Sequence, residues 1–286
     1  MSAAEATVMV GQRPRRWFST RLLRSELRLV AGRRRNQMGL LVLAAVPVLL
    51  AIAVKISAPR PGHGPDFLSS ITANGLFVPL AALTLEMTLF LPLAISMLAG
   101  DSIAGEANLG TLRYLLTVPV HRTRLLLVKY VSLCIGAVCG VASVLLAGAV
   151  AGTALFGAGP MTTLSGSQIS AADSVWRLVL VTLYLSAGIA ALAAVGLFIS
   201  TLTEQQIAAT IALMIVAILS LILDAVPQLS WLHPWLISHE WLSFGDLLRD
   251  PPVWDNVIRG LAVDAGYAVV FWLAAWARFS GKDITS

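Results

Sequence analysis

Few residues of this 286-residue chain are able to do chemistry, and their positions narrow what that chemistry is. Glu86 is the one acid near the middle of a long apolar run, where an ionised side chain costs about 2.5–3.5 kcal/mol on insertion scales. It must therefore face protein or water. There it either binds a cationic substrate or relays a proton, or it is a protonated or hydrogen-bonded packing residue beside Thr84 or Thr88. Asp264, close to the outer end of a later apolar run, reads as solvated. A metal enzyme needs paired ligands, and His239-Glu240-Trp241-Leu242-Ser243 carries the first half of H-E-x-x-H without its second histidine. Together with His233 it makes a weak metal set, against the plainer reading of interfacial loop histidines. Nothing matches G-x-x-x-x-G-K-[ST], so the chain has no loop of that kind to cradle ATP phosphates, and energy for any transport must come from elsewhere. Cys134 and Cys139, five apart in an apolar run, project from different sides of a helix and read as small packing residues.

The elements that position these residues are apolar helices. Hydrophobic residues make up 57% of the chain and charged ones 12%, against roughly a quarter charged in a soluble globular protein. Apolar runs reach the roughly 20 residues needed to cross about 30 Å of hydrocarbon. They predict spans over about 38–56, 75–99, 126–156, 176–202, 206–223 and 258–278. The first follows a leader too long for the basic region of a signal peptide, so it reads as an uncleaved helix. Residues 17–35 read as an amphipathic interfacial helix, with Arg21, Arg24 and Arg28 on one side and Leu22, Leu23, Leu27 and Val30 on the remaining arc. The third span is long enough to overrun the bilayer or to fold back at Gly148, Gly152 or Gly157. Its Gly136-x-x-x-Gly140 and Gly148-x-x-x-Gly152 spacings allow close helix approach.

Net charge is +5, and nine arginines between Arg13 and Arg35 face only Glu5 and Glu26. Beside a span, such a cluster fits anionic headgroups and topology control better than nucleic acid. With the N-terminus inside, fifteen of the 20 Lys and Arg residues fall on the cytoplasmic side, which favours an even number of spans and both termini cytoplasmic. The segment 224–257, rich in Pro and Trp, reads as an extracytoplasmic cap of short helices, either structural or an exit lid for substrate.

The connection after the second span, 100–124, differs in composition from every other loop. Leu109, Leu112, Leu115 and Leu116 repeat at helical spacing with Glu106 and Arg113 on other sides, Pro119 ends that helix, and Arg122, Arg124 and Lys129 anchor the next span to headgroups. This stretch resembles the type-2 permease family of ATP-binding-cassette (ABC) exporters. The match runs through Glu106, Gly110, Thr111, Leu112, Leu115, Leu116, Pro119, Arg122, Arg124 and Lys129, and the ending Ala277 to Ile284 is similar too; His121 stands where a small polar residue is usual.

The resemblance implies a coupling helix, with Gly105, Glu106, Leu109, Gly110, Thr111, Leu112 and Arg113 docking on a cytoplasmic ABC ATPase present in two copies, which binds the ATP and Mg. It further implies a homodimer or a heterodimer with a sister permease, in a bacterial cytoplasmic membrane, exporting a hydrophobic or amphipathic substrate that the sequence does not name. The expected fold is all-α and polytopic: a basic arm with an interfacial elbow helix over 1–37, then a six-helix transmembrane domain over 38–286. Two rival readings are a membrane-embedded enzyme or sensor built on Glu86 and the His233/His239 loop, and a scaffold that binds partners without transport.

Overall fold

A computed structural model describes residues 20–57, 74–108, 110, 121–157, 161–163 and 165–281. Helix α1 (Arg21–Gly32) is amphipathic and buries none of its residues. It stops at Arg33, whose ψ of 117° is extended, and α2 (Arg34–Ser57) starts on the next residue. The corner is held from the α2 side: Asn36 Nδ2 donates to Val30 O at 2.8 Å and Gln37 Nε2 to Ala31 O at 2.9 Å. Both satisfy carbonyls that a helix end leaves without partners.

The second apolar run, expected as one helix, is broken. Helix α3 (Phe77–Thr88) is followed after Leu89 by α4 (Phe90–Gly100), and the helical stretch that α4 begins, Phe90–Asn108, is bent by 55° from α3. Pro92 lies in the first turn of α4, where it has no N–H to give to the Thr88 carbonyl and its ring crowds that group, so the helix cannot run straight through. Beyond Gly100 the helix continues as a π turn, Asp101–Gly105, and a short α turn, Glu106–Asn108. Helix α5 (Arg122–Phe156) is continuous over 35 residues, about 52 Å at 1.5 Å per residue. It therefore overruns a bilayer and does not fold back at Gly148 or Gly152; it ends at Gly157, whose φ of 85° suits glycine. A two-stranded hairpin, β1 (Met161–Thr162) and β2 (Gln168–Ile169), leads into α6 (Ala171–Leu202), which is capped by Ser170 Oγ accepting from Asp173 N. Helix α7 (Gln206–Asp224), three short 3-10 turns at Pro227–Leu229, His233–Trp235 and Trp241–Leu248, and α8 (Asp255–Gly281) follow, and α8 ends the described residues.

Among the described residues, five helices, α2, α5, α6, α7 and α8, are long and apolar enough to cross a membrane. The bent pair α3 and α4 adds a sixth crossing if it is one span. The chain is thus an all-α, polytopic membrane protein, and its lipid-facing character is visible in exposed apolar side chains such as Leu49, Val150, Ile207 and Val269. Helix α6 is the centre, with 67% of its apolar window buried against 17–33% for the other four long helices. It packs on α8, α5, α4 and α7, while α2 and α3 pack on α5. The seam between α3 and α5 is set by small residues: a Cβ on Gly148 would lie 2.7 Å from Pro79 Cα, and Gly152 lies directly against the Gly75 backbone.

Contacts sort the helix ends into two groups. One end holds Arg33 with Asp101, Gly100 beside Gln206, Ser200 with Ala104, and Arg122 with Phe279 and Ser280. The other holds Lys55 with Leu155, Gly75 with Gly157, Ser167 with Asp250, and Arg177 with Leu247.

Candidate functional site

The first end carries a cluster of charges that the fold pulls inside. On α5, Lys129 is 3% exposed and stands between two carboxylates. It donates to Glu26 of α1 at 2.9 Å and is ion-paired with Glu106 of the short turn beyond α4. A turn away, Asp101 is ion-paired with Arg33, at 2.9 Å, and with Arg35. Six charged residues on α1, the α1–α2 corner, the turns beyond α4 and α5 thereby form two adjacent ion-paired groups, Glu26–Lys129–Glu106 and Arg33–Asp101–Arg35.

The π turn that carries Asp101 has its own support. Ser200, fully buried near the end of α6, accepts from the amides of Ile103 at 3.2 Å and Ala104 at 2.9 Å. The hydroxyl offers these amides a partner outside the helix ladder, and π turns gather at functional positions. Gly105 leaves room for Asp101, whose Oδ1 would lie 3.1 Å from an added Cβ.

Beside the cluster, α1, α2, α4, α5 and α6 line an open apolar cavity of about 330 Å³. Its walls are residues such as Leu40, Leu43, Leu91, Ile95 and Ile135, and Arg35, Asn36 and Gln37 supply its polar lining. The size and character suit an amphipathic guest or an acyl chain whose polar group stays near Arg35.

Glu106, expected at a docking surface, turns inward to Lys129. Lys129, expected at the headgroups, is enclosed by Glu26 and Glu106, because α1 and the turn beyond α4 cover it. Arg122 donates to the carbonyls of Phe279 and Ser280, so it caps the end of α8. Arg124 lies in the first turn of α5. Gly110 adopts φ 67°, a left-handed turn that favours glycine. Leu109, Thr111, Leu112 and Arg113, with the rest of 111–120, lie outside the described residues.

Glu86 is fully buried on α3, and neither carboxylate oxygen has a hydrogen-bond partner among the described residues. Thr84 and Thr88 are not its neighbours in that sense: their hydroxyls donate to Leu80 O and Thr84 O of their own helix. Glu86 lies on α3, whereas His233 and His239 lie in the turns after α7. Asp264, expected to be solvated, is 7% exposed and lies with the Trp241 ring in the space left by Gly188 of α6. Sequence reasoning missed Asp101, Arg35 and Ser200 as a set; the only signal was an acid placed where an apolar run ends.

A search of curated proteins returns no match. The family model described as DUF2705, a protein of unknown function, matches residues 63–285, and the chain belongs to that family.

Proposed function

We propose that this chain is the membrane-spanning subunit of an ABC-type exporter, working with two copies of a separate cytoplasmic ATPase that binds ATP and Mg, and with a second permease, either its own copy or a sister chain. The observation that carries the reading is the ion-paired junction. In sequence, the segment resembling a coupling helix lies between Glu106 and Arg122, and the residues just before it are latched to α1, the α1–α2 corner and α5. A push delivered to 110–121 by a closing ATPase pair is transmitted through Asp101, Glu106 and Lys129 to four helices at once. In a loosely held loop the same push would be lost.

Burial changes the role of Glu106 under this reading. It acts as a latch behind the docking surface, and the contact with the ATPase is made by Thr111, Leu112 and Arg113. The cytoplasmic side is then the junction end, in a bacterial cytoplasmic membrane, with both termini there. The apolar cavity beside Arg35 supports a hydrophobic or amphipathic cargo taken from the inner leaflet.

The test is co-purification of the tagged chain in detergent with the ATPase encoded beside it, for wild type and for Leu112→Arg. Retention by wild type and loss by a variant of unchanged elution volume supports the docking surface. Failure of the wild-type chain to retain any ATPase sinks the proposal.

A further inference from the structure

At the far end of the bundle, three side chains with metal-binding atoms converge from separate turns. Asp224 is the last residue of α7, His233 begins the second 3-10 turn, and His239 precedes the third. Their ligand atoms all lie within 4.8 Å of one another. His239 Nδ1 is 2.6 Å from Asp224 Oδ1, and His233 Nδ1 is 4.0 Å from the same oxygen.

Three features prepare the site. The Nε2 atom of His233 is 3.1 Å from Val226 O, which can only accept, so this nitrogen carries the proton and Nδ1 presents a lone pair toward Asp224. The residue before His239 is pinned beneath α7, where Ser238 Oγ and Ser220 Oγ are 2.7 Å apart and Ser238 N donates to Ser220 Oγ. The group also sits at the C-terminal end of α7, where the helix dipole adds negative potential to that of the carboxylate. The three side chains are 17–31% exposed, so an ion has access and a water can complete its shell.

The distances suit a small tetrahedral ion. Metal bonds of about 2.0–2.1 Å place neighbouring donors about 3.3 Å apart. The observed separations of 2.6 and 4.0 Å lie on either side of that, so each needs a change of about 0.7 Å, within reach of side-chain rotation alone. Two imidazoles and one carboxylate favour zinc or a similar borderline ion over magnesium or calcium, which prefer all-oxygen shells.

We propose that Asp224, His233 and His239 form a three-ligand binding site for a zinc-class divalent cation, which fastens the end of α7 to the segment between α7 and α8. When the ion enters, the proton between His239 Nδ1 and Asp224 passes to solvent and Nε2 of the ring carries the proton instead, so that the neutral imidazole ligates through Nδ1. The site needs no ATPase and stands whether or not the chain is an exporter.

The experiment uses the full chain in detergent, purified with a tag that contains no histidine, stripped with a chelator and titrated with Zn²⁺ against a competing zinc indicator. One ion per chain is expected, with binding at least 100-fold weaker in His233→Asn and in His239→Gln, polar replacements that ligate poorly. X-ray absorption at the zinc edge of the loaded wild-type chain gives a second reading that does not depend on the variants, and it should show nitrogen and oxygen donors with imidazole scattering. Absence of saturable zinc binding, wild-type affinity in the folded double variant, or a sulfur-dominated shell from Cys134 and Cys139 overturns the proposal.

Discussion

Lys129 offers the sharpest test of the junction. Its ammonium is enclosed between Glu26 and Glu106, whose side chains are 14% and 9% exposed. Removing it leaves two carboxylates facing each other with little water, and breaking a buried pair by deleting one member costs about 3–5 kcal/mol. At an effective dielectric near 20, one charge pair at about 4 Å contributes about 4 kcal/mol, which agrees. Lys129→Met is therefore expected to destabilise the chain by about 3–5 kcal/mol. Glu106→Gln is expected to cost less, about 1–2 kcal/mol, because Lys129 keeps Glu26 as a partner. The double variant should fall short of the sum by about 2 kcal/mol, since it removes one of the two stranded charges along with their partner. Equilibrium unfolding in mixed micelles, on wild type, both single variants and the double, gives the cycle. Added salt should change it little, as the groups are shielded from ions. A Lys129→Met chain within about 1 kcal/mol of wild type, or singles that add without coupling, refutes the enclosed latch.

Other outcomes follow from particular contacts. Ser200→Ala strands the amides of Ile103 and Ala104 in a buried place and should cost about 1–3 kcal/mol, with faster hydrogen exchange at those two amides as the specific sign; unchanged exchange would show that the hydroxyl does not hold the π turn. Gly148→Leu forces α3 away from α5, because even its Cβ meets Pro79 Cα at 2.7 Å; a loss of about 1–3 kcal/mol or more is expected in thermal melts, and tolerance would contradict the close seam. Glu86→Leu removes an enclosed carboxyl that has no hydrogen-bond partner among the described residues, so the chain should become more stable; a clear loss of stability would reveal a partner that the fold supplies to Glu86.

Much of the fold was legible because hydrocarbon thickness is a one-dimensional constraint. Run lengths gave α2, α5, α6, α7 and α8 to within a few residues, and the amphipathic arc of Arg21, Arg24 and Arg28 gave α1. The Gly148 and Gly152 spacing marked a close helix seam, which is where α3 packs. The bend at Leu89 was written in Pro92 but not read, since a proline near the middle of an apolar run is often accommodated in a membrane helix. Asp264 was misjudged because hydropathy places a residue along a helix and says little about which neighbours close over it.

What the sequence determined by itself is where the chain is apolar enough to enter a membrane, where its positive charge gathers, and which segment between spans differs from the rest. Those follow from composition and period along one helix at a time. Only the tertiary structure decided which charges meet. Lys129 finds Glu26 from 103 residues away and Glu106 from 23, and Asp224 comes within reach of His233 and His239 only because the turns after α7 fold back over its end. An ion pair or a metal site depends on distances of a few ångströms between side chains from different elements, and those distances are set by how the helices pack.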